Sequence, residues 1–125
     1  MSQDLGIVGY DSFHFVVGDL ERSRRFYTEA LGFTEVARAS RAKVEKGGEE
    51  ASVFGAGQVR VLVSTPARQD SRAARWLRVH PDGVSSLAFR VRDVDAAWRF
   101  LEPRGATFLS EIQTHEEGGG YFRTF

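Results

Sequence analysis

The stretch Phe13–Phe33, FHFVVGDLERSRRFYTEALGF, has a second, fainter copy at Leu87–Phe108, LAFRVRDVDAAWRFLEPRGATF. In each copy an apolar run reads as a strand, an Asp stands where a helix cap belongs, and an amphipathic segment closes on a Gly. With Asp19 set on Asp93, Leu20 falls on Val94, Glu21 on Asp95, Arg25 on Arg99 and Phe26 on Phe100, and Gly32 lies within one residue of Gly105. Duplication of a strand–helix unit fixes the architecture within which single motifs are interpreted.

Length then limits what two such units can be. At 125 residues, 42% hydrophobic and 27% charged, the chain suffices for one globular core and is short for two independent ones. A single domain over residues 1–125 is expected, with one module over about 8–66 and another over about 83–125. Seventeen basic residues cancel seventeen acidic ones, so no global field recruits nucleic acid or an anionic membrane, and neither is expected as a partner. Cysteine is absent, which excludes disulfides and thiolate metal sites and fits a reducing, cytoplasmic location. No apolar signal core follows Met1, and no run approaches the roughly 20 apolar residues that span a bilayer.

In chain order, residues 1–9 read as a polar lead-in and Tyr10–Val17 as the first strand. Alternation puts Phe13, Phe15 and Val17 on one face, under a helix, and Ser12, His14 and Val16 on the other, open face. Asp19 is placed to cap a helix over Leu20–Leu31, with Gly32 as its left-handed stop. Extended segments follow at Thr34–Ser40, Ala51–Ala56 and Val59–Thr65, punctuated by the turn signals Lys46-Gly47-Gly48 and Gly55-Ala56-Gly57. Arg68–Val79 reads as a helix starting near Asp70 and Ser71. The second module repeats the pattern as strand Ser85–Val91, cap Asp93 and helix Val94–Arg104, and Pro103 requires that helix to end between Leu101 and Arg104. Residues 107–125 leave room for one strand, a polar loop through His115–Gly120 and the start of another strand at Tyr121–Phe125. The last strand of the second module is therefore expected to be missing, the chain to be a fragment of a longer protein, and the exposed edge to favour a homo-oligomer.

Two strand–helix–three-strand modules, each opening strand–Asp–helix–Gly, resemble the vicinal oxygen chelate superfamily of glyoxalases, bleomycin-resistance proteins and extradiol dioxygenases. The resemblance implies an α+β fold in which the modules form a curved mixed sheet of half-barrels with helices outside. The segments FVVGD at residues 15–19, Phe26-Tyr27, Leu31-Gly32-Phe33, GQVRVLVST at 57–65, HPDGV at 80–84 and Arg104-Gly105-Ala106 are similar, in order and spacing, to the amino-terminal domain of the 4-hydroxyphenylpyruvate dioxygenase family. Hydroxymandelate synthases, which use the same substrate, share that similarity.

Metal-binding members of the superfamily open the first strand of each module with a His, seven residues before the capping Asp. Those positions here are Ser12 and Ser86, and a neutral hydroxyl is a poor ligand for iron or zinc compared with imidazole. Both sites read as degenerate, with no metal ligand and no catalytic residue expected in this chain. The resemblance implies that Fe(II), held by two His and one Glu, belongs to a carboxy-terminal catalytic domain absent from these residues, which would be this chain's partner.

Three histidines remain to be weighed. His14 shares a strand face with Ser12, as a ligand contact on the concave side or as a hydrogen-bonded residue of a polar interior. His80 adjoins the Pro81-Asp82-Gly83 turn, and His115 lies beside Glu116 and Glu117 in the polar loop. Arg68, Arg72, Arg75 and Arg78 recur at roughly helical spacing, a pattern that a solvated helix face explains better than a nucleic-acid interface. Trp76 and Trp98 read as core or interface aromatics.

Two function classes follow. One is a noncatalytic structural domain of an Fe(II) enzyme whose implied reaction converts 4-hydroxyphenylpyruvate and O2 to homogentisate and CO2 in tyrosine breakdown. The other is a stand-alone dimeric small-molecule binding protein of the same fold, like the glyoxalases or bleomycin-resistance proteins.

Overall fold

A computed structural model describes residues 4–117 and 119–125. Residues 10–88 form one compact unit, and residues 4–9 with 89–125 form another. The fold is mixed α+β with a five-stranded open sheet in the order β2-β3-β4-β1-β5 and a separate two-stranded sheet, β6-β7. The strands are β1 Ile7–Val16, β2 Thr34–Arg38, β3 Glu49–Ala56, β4 Val59–Pro66, β5 Gly83–Val91, β6 Gln113–Glu117 and β7 Gly120–Thr124. β1 runs parallel to β4, whereas β3 is antiparallel to both β2 and β4.

The duplicated motif is visible at both helix starts. Asp19 caps α1 (Leu20–Arg25) by accepting from the Arg22 amide at 3.1 Å, and Asp93 caps α4 (Val94–Leu101) by accepting from the Ala96 amide at 3.1 Å. After Arg25 the first helix widens into a π-helical turn, Phe26–Ala30. The Thr28 hydroxyl takes the Arg24 carbonyl at 2.7 Å, while the Leu31 amide reaches back to the Phe26 carbonyl. α4 ends at Leu101 and passes through a 3-10 turn, Glu102–Arg104, that holds Pro103. Both helical segments stop at a left-handed glycine, Gly32 and Gly105.

Several expectations are corrected. β1 begins at Ile7, so the lead-in is shorter than its polarity suggested; residues 1–3 lie outside the described residues. The segment after β2 is not extended to Ser40 followed by a glycine turn. Instead Ser40 caps a helix, α2 (Arg41–Gly47), which closes at Gly48. A serine followed by Arg-Ala-Lys-Val-Glu-Lys supplies both cap and helix formers, and those glycines terminate it. His115, Glu116 and Glu117, expected in a polar loop, belong to β6, where cross-strand pairing with β7 overrides their polarity; Gly118 of that loop lies outside the described residues.

The core of the unit over residues 10–88 lies between α1 and one face of the sheet. Val17, Leu20, Phe54, Val61 and Val63 are buried together, with Phe15, Tyr27 and Phe33 packed against them. Tyr27 stacks on Phe54 at 5.2 Å. At the rim of this face Glu35 accepts from Arg24 at 2.7 Å and Arg38 at 2.8 Å, and Arg24 also reaches Ser52 and Glu21. α3 (Arg72–Val79) starts at Ser71, whose hydroxyl accepts from the Ala74 amide at 3.1 Å. The other unit is built on aromatics: Trp98 stacks on Phe108 at 3.8 Å, and Phe125 meets both rings edge-on.

Candidate functional site

The second face of the five-stranded sheet carries the polar residues worth examining. In the β1–β4 register His14 lies opposite Leu62 and Val16 opposite Ser64, and in the β3–β4 register Ala51 lies opposite Ser64 and Glu49 opposite Pro66. Directly paired residues share a face, and alternation along each strand puts Ser12, His14, Ser64 and Glu49 on the same side. This face was expected to be open, but Ser12 is 7% exposed, Ser64 4% and Val16 0%. α3 contributes cover, since its Ala73 and Ala74 are buried and its Arg72 approaches Glu49, on this face, at 3.5 Å.

His14 is half-buried, and its Nε2 lies 2.7 Å from Ser64 Oγ. Burial, and secondarily the charge of Arg72, pushes its pKa below the usual 6.5. At neutral pH the ring is therefore uncharged and offers one donor and one acceptor. Its backbone carbonyl accepts from Ser85 Oγ at 3.2 Å, which ties β5 to β1. Glu49 Oε1 is buried and makes no hydrogen bond among the described residues, because Arg72 stays at ion-pair distance without hydrogen-bond geometry. An imidazole, a hydroxyl, a guanidinium and an under-satisfied carboxylate thus belong to one sheet face and the helix beside it. Within this set Ser64 is buried and bonded to His14, and Arg72 faces Glu49, so the polar groups partner one another.

Ser12 and Ser86, the positions where an imidazole would bind metal, differ from each other in environment. Ser12 is buried on the His14 face, whereas Ser86 is exposed on β5. Among the described residues no group of three or more His, Cys, Asp and Glu side chains is placed to hold a metal ion. His80 stacks on Trp76 at 4.5 Å and places Nδ1 3.1 Å from its carbonyl. His115 stacks on Phe122 at 4.7 Å and lies 3.1 Å from Thr124 Oγ1.

The arginine stripe of α3 is largely spent on its own surroundings. Arg68 bonds Asp70 and the Glu45 carbonyl, Arg72 pairs with Glu49, Arg75 donates to the Asp70 carbonyl at 2.6 Å, and Arg78 donates to the Gln69 carbonyl at 2.6 Å. Sequence reasoning missed Ser64, Glu49 and Arg72. Ser64 lay within the expected strand Val59–Thr65, but Glu49 lay outside the expected segment Ala51–Ala56, and the β3–β4 and β1–β4 registers that put them on one face were not readable. It also missed Asp82, whose carboxylate accepts from the Gly18 amide at 3.1 Å and fastens the β1–α1 turn.

A family model described as the Glyoxalase/Bleomycin resistance protein/Dioxygenase superfamily matches residues 9–125. Among curated proteins, the 4-hydroxyphenylpyruvate dioxygenase of Coccidioides posadasii is 26% identical over 92% of this chain and 32% of its own length. That of Yarrowia lipolytica is 28% identical over 90% of this chain and 29% of its length. The uncharacterized protein slr0090 of Synechocystis is 30% identical over 83% of this chain and 27% of its length. The chain therefore spans about 30% of the length of the curated relatives it matches. Among solved structures, methylmalonyl-CoA epimerase from Mycobacterium tuberculosis superposes with TM-score 0.70 at 23% identity, covering 94% of this chain and 73% of that one. A methylmalonyl-CoA epimerase in complex with methylmalonyl-CoA and NH4+ gives TM-score 0.74 at 23% identity, covering 88% and 79%. At that identity the likeness shows the fold alone.

Proposed function

The chain belongs to the Glyoxalase/Bleomycin resistance protein/Dioxygenase superfamily, and from that premise we propose that it is the noncatalytic amino-terminal domain of a 4-hydroxyphenylpyruvate dioxygenase-like enzyme. The observation that carries this reading is the alignment of relatives named 4-hydroxyphenylpyruvate dioxygenase along about nine-tenths of this chain but only about a third of themselves. The reaction proposed for the intact enzyme is conversion of 4-hydroxyphenylpyruvate and O2 to homogentisate and CO2, in the cytoplasm and with Fe(II) held elsewhere in the enzyme.

The residues present here do not fit an iron centre. The two strand positions that would carry imidazole are Ser12 and Ser86, and no qualifying ligand cluster exists among the described residues. No step of the reaction is therefore assigned to this chain. Its role in this reading is mechanical: the sheet supports a catalytic domain, and its β5 edge contributes to assembly between subunits.

A second reading has its own observation. The solved epimerases are covered over 73% and 79% of their chains, so a fold of about this extent works as a small-molecule module. In that reading His14, with Ser64 and Arg72, would contact the ligand.

The test is iron titration by calorimetry, together with oxygen uptake on 4-hydroxyphenylpyruvate, for this chain alone and joined to the coding sequence that follows Phe125. The expected result is no tight iron site and no uptake for this chain, with both present in the joined protein. A stoichiometric iron site in this chain alone would overturn the first reading.

A further inference from the structure

In the unit formed by residues 4–9 and 89–125, the acids beside the α4 helix already accept hydrogen bonds, while two guanidiniums donate to no carboxylate among the described residues. Arg123 holds Asp95 in a bidentate pair at 2.8 and 3.0 Å. Asp93 caps α4, and Glu102 accepts from Trp98 Nε1 at 2.9 Å. Asp4 accepts from Arg92 at 2.9 Å and from the Gly6 amide at 2.8 Å. Arg99 and Arg104 are left without a carboxylate hydrogen-bond partner among the described residues.

Both line one cavity of about 490 Å³, together with Arg92 and Asp4. Ala96, Phe100 and Pro103 supply its apolar part. Ala96, Arg99 and Pro103 recur at spacings of three and four, which stacks them along one side of α4 and its 3-10 extension, and Arg92 joins them from the turn before the Asp93 cap. Arg104 is held in place, with its guanidinium 3.7 Å over the Phe100 ring and a hydrogen bond of 2.6 Å to the Phe100 carbonyl. Arg92 already bonds a carboxylate here, that of Asp4, so the lining accepts oxyanions. The lining itself carries three guanidiniums against one carboxylate, and although Asp95 feels the charge of Arg99 from outside the lining, its hydrogen bonds go to Arg123, so an incoming dianion suits the cavity better than a monoanion.

We propose that this cavity binds a phosphate monoester, its dianionic head between Arg99 and Arg104 and its organic body against Phe100 and Pro103. The site shares no residue with the His14 face and does not depend on the function proposed above.

Titration calorimetry of this chain with phenyl phosphate, inorganic phosphate and succinate tests it. Phenyl phosphate should bind saturably and at least threefold more tightly than inorganic phosphate, and succinate more weakly than phenyl phosphate. Arg99→Gln should weaken phenyl phosphate about tenfold with an unchanged melting temperature. Arg104→Lys, which keeps charge and stem but loses the fork, should weaken it less, and Arg60→Gln, on β4, should leave it unchanged. The Arg99 Nε–H resonance should shift on titration. No saturable heat, an affinity unchanged in Arg99→Gln, or succinate binding as tightly as phenyl phosphate would each overturn the proposal.

Discussion

His14 Nε2 and Ser64 Oγ lie 2.7 Å apart, joining the first and fourth strands through a polar contact on a face that also carries Val16, Ala51 and Leu62. Ser64→Ala should cost about 1 kcal/mol in urea denaturation, the size of a neutral hydrogen bond. It should also move the His14 titration seen by NMR. An unchanged midpoint would mean that the two side chains do not interact in solution.

The pH dependence follows from the same ring. His14 is held below its usual 6.5, by burial first and Arg72 second, so the unfolded chain binds the proton more readily than the folded one. Its contribution should be complete above pH 6.5 and decline as pH falls from there toward the lower folded value. Melting temperatures measured from pH 7.5 to pH 5 should fall, and His14→Gln should flatten that decline.

Glu35 titrates in the opposite sense. Burial alone would raise its pKa, but hydrogen bonds from Arg24, Arg38 and Ser52 and the charge of Arg24 bring it down to about 2 from 4.5. The depressed carboxylate stabilises the fold above pH 4.5 and loses that effect as pH falls toward 2. Glu35→Gln should cost about 1–3 kcal/mol at pH 7, because Arg24, only 14% exposed, keeps exposed Glu21 but loses its buried carboxylate partner. The loss should be smaller when denaturation is repeated at pH 3.

Phe54 has no exposed surface and stacks on Tyr27. Phe54→Ala should destabilise by about 3–5 kcal/mol, from lost burial and the cavity left behind. Phe54→Leu should cost markedly less. Equal losses for the two would indicate that the ring stack, rather than volume, holds this core together.

Gly48 closes α2 at φ +72, and its carbonyl accepts from the amides of Ala67 and Arg68. A Cβ there would meet the Arg68 guanidinium at 3.0 Å. Gly48→Ala should cost about 1–2 kcal/mol through left-handed strain, read as a shifted urea midpoint. Gly47→Ala, where a Cβ meets nothing within 4 Å, should stabilise slightly or leave the midpoint unchanged.

The chain's local chemistry determined a good deal. The Asp19 and Asp93 caps, the helices they start, the break at Pro103 and the strands rich in Val and Phe are all short-range events. Their causes lie within a few neighbouring residues and are legible there. The repeat made the superfamily legible too, since it spans most of the chain. Tertiary structure decided the rest. Polar residues 115–117 pair as a strand because β7 lies beside them, whereas the Ser40 cap of α2 is itself a short-range event, its hydroxyl accepting from the Lys43 amide three residues on. Ser64, Glu49 and Arg72 belong with His14 only because two strand registers and one helix position place them so. Register and docking depend on which apolar faces bury each other across tens of residues, and that choice is made by the whole core.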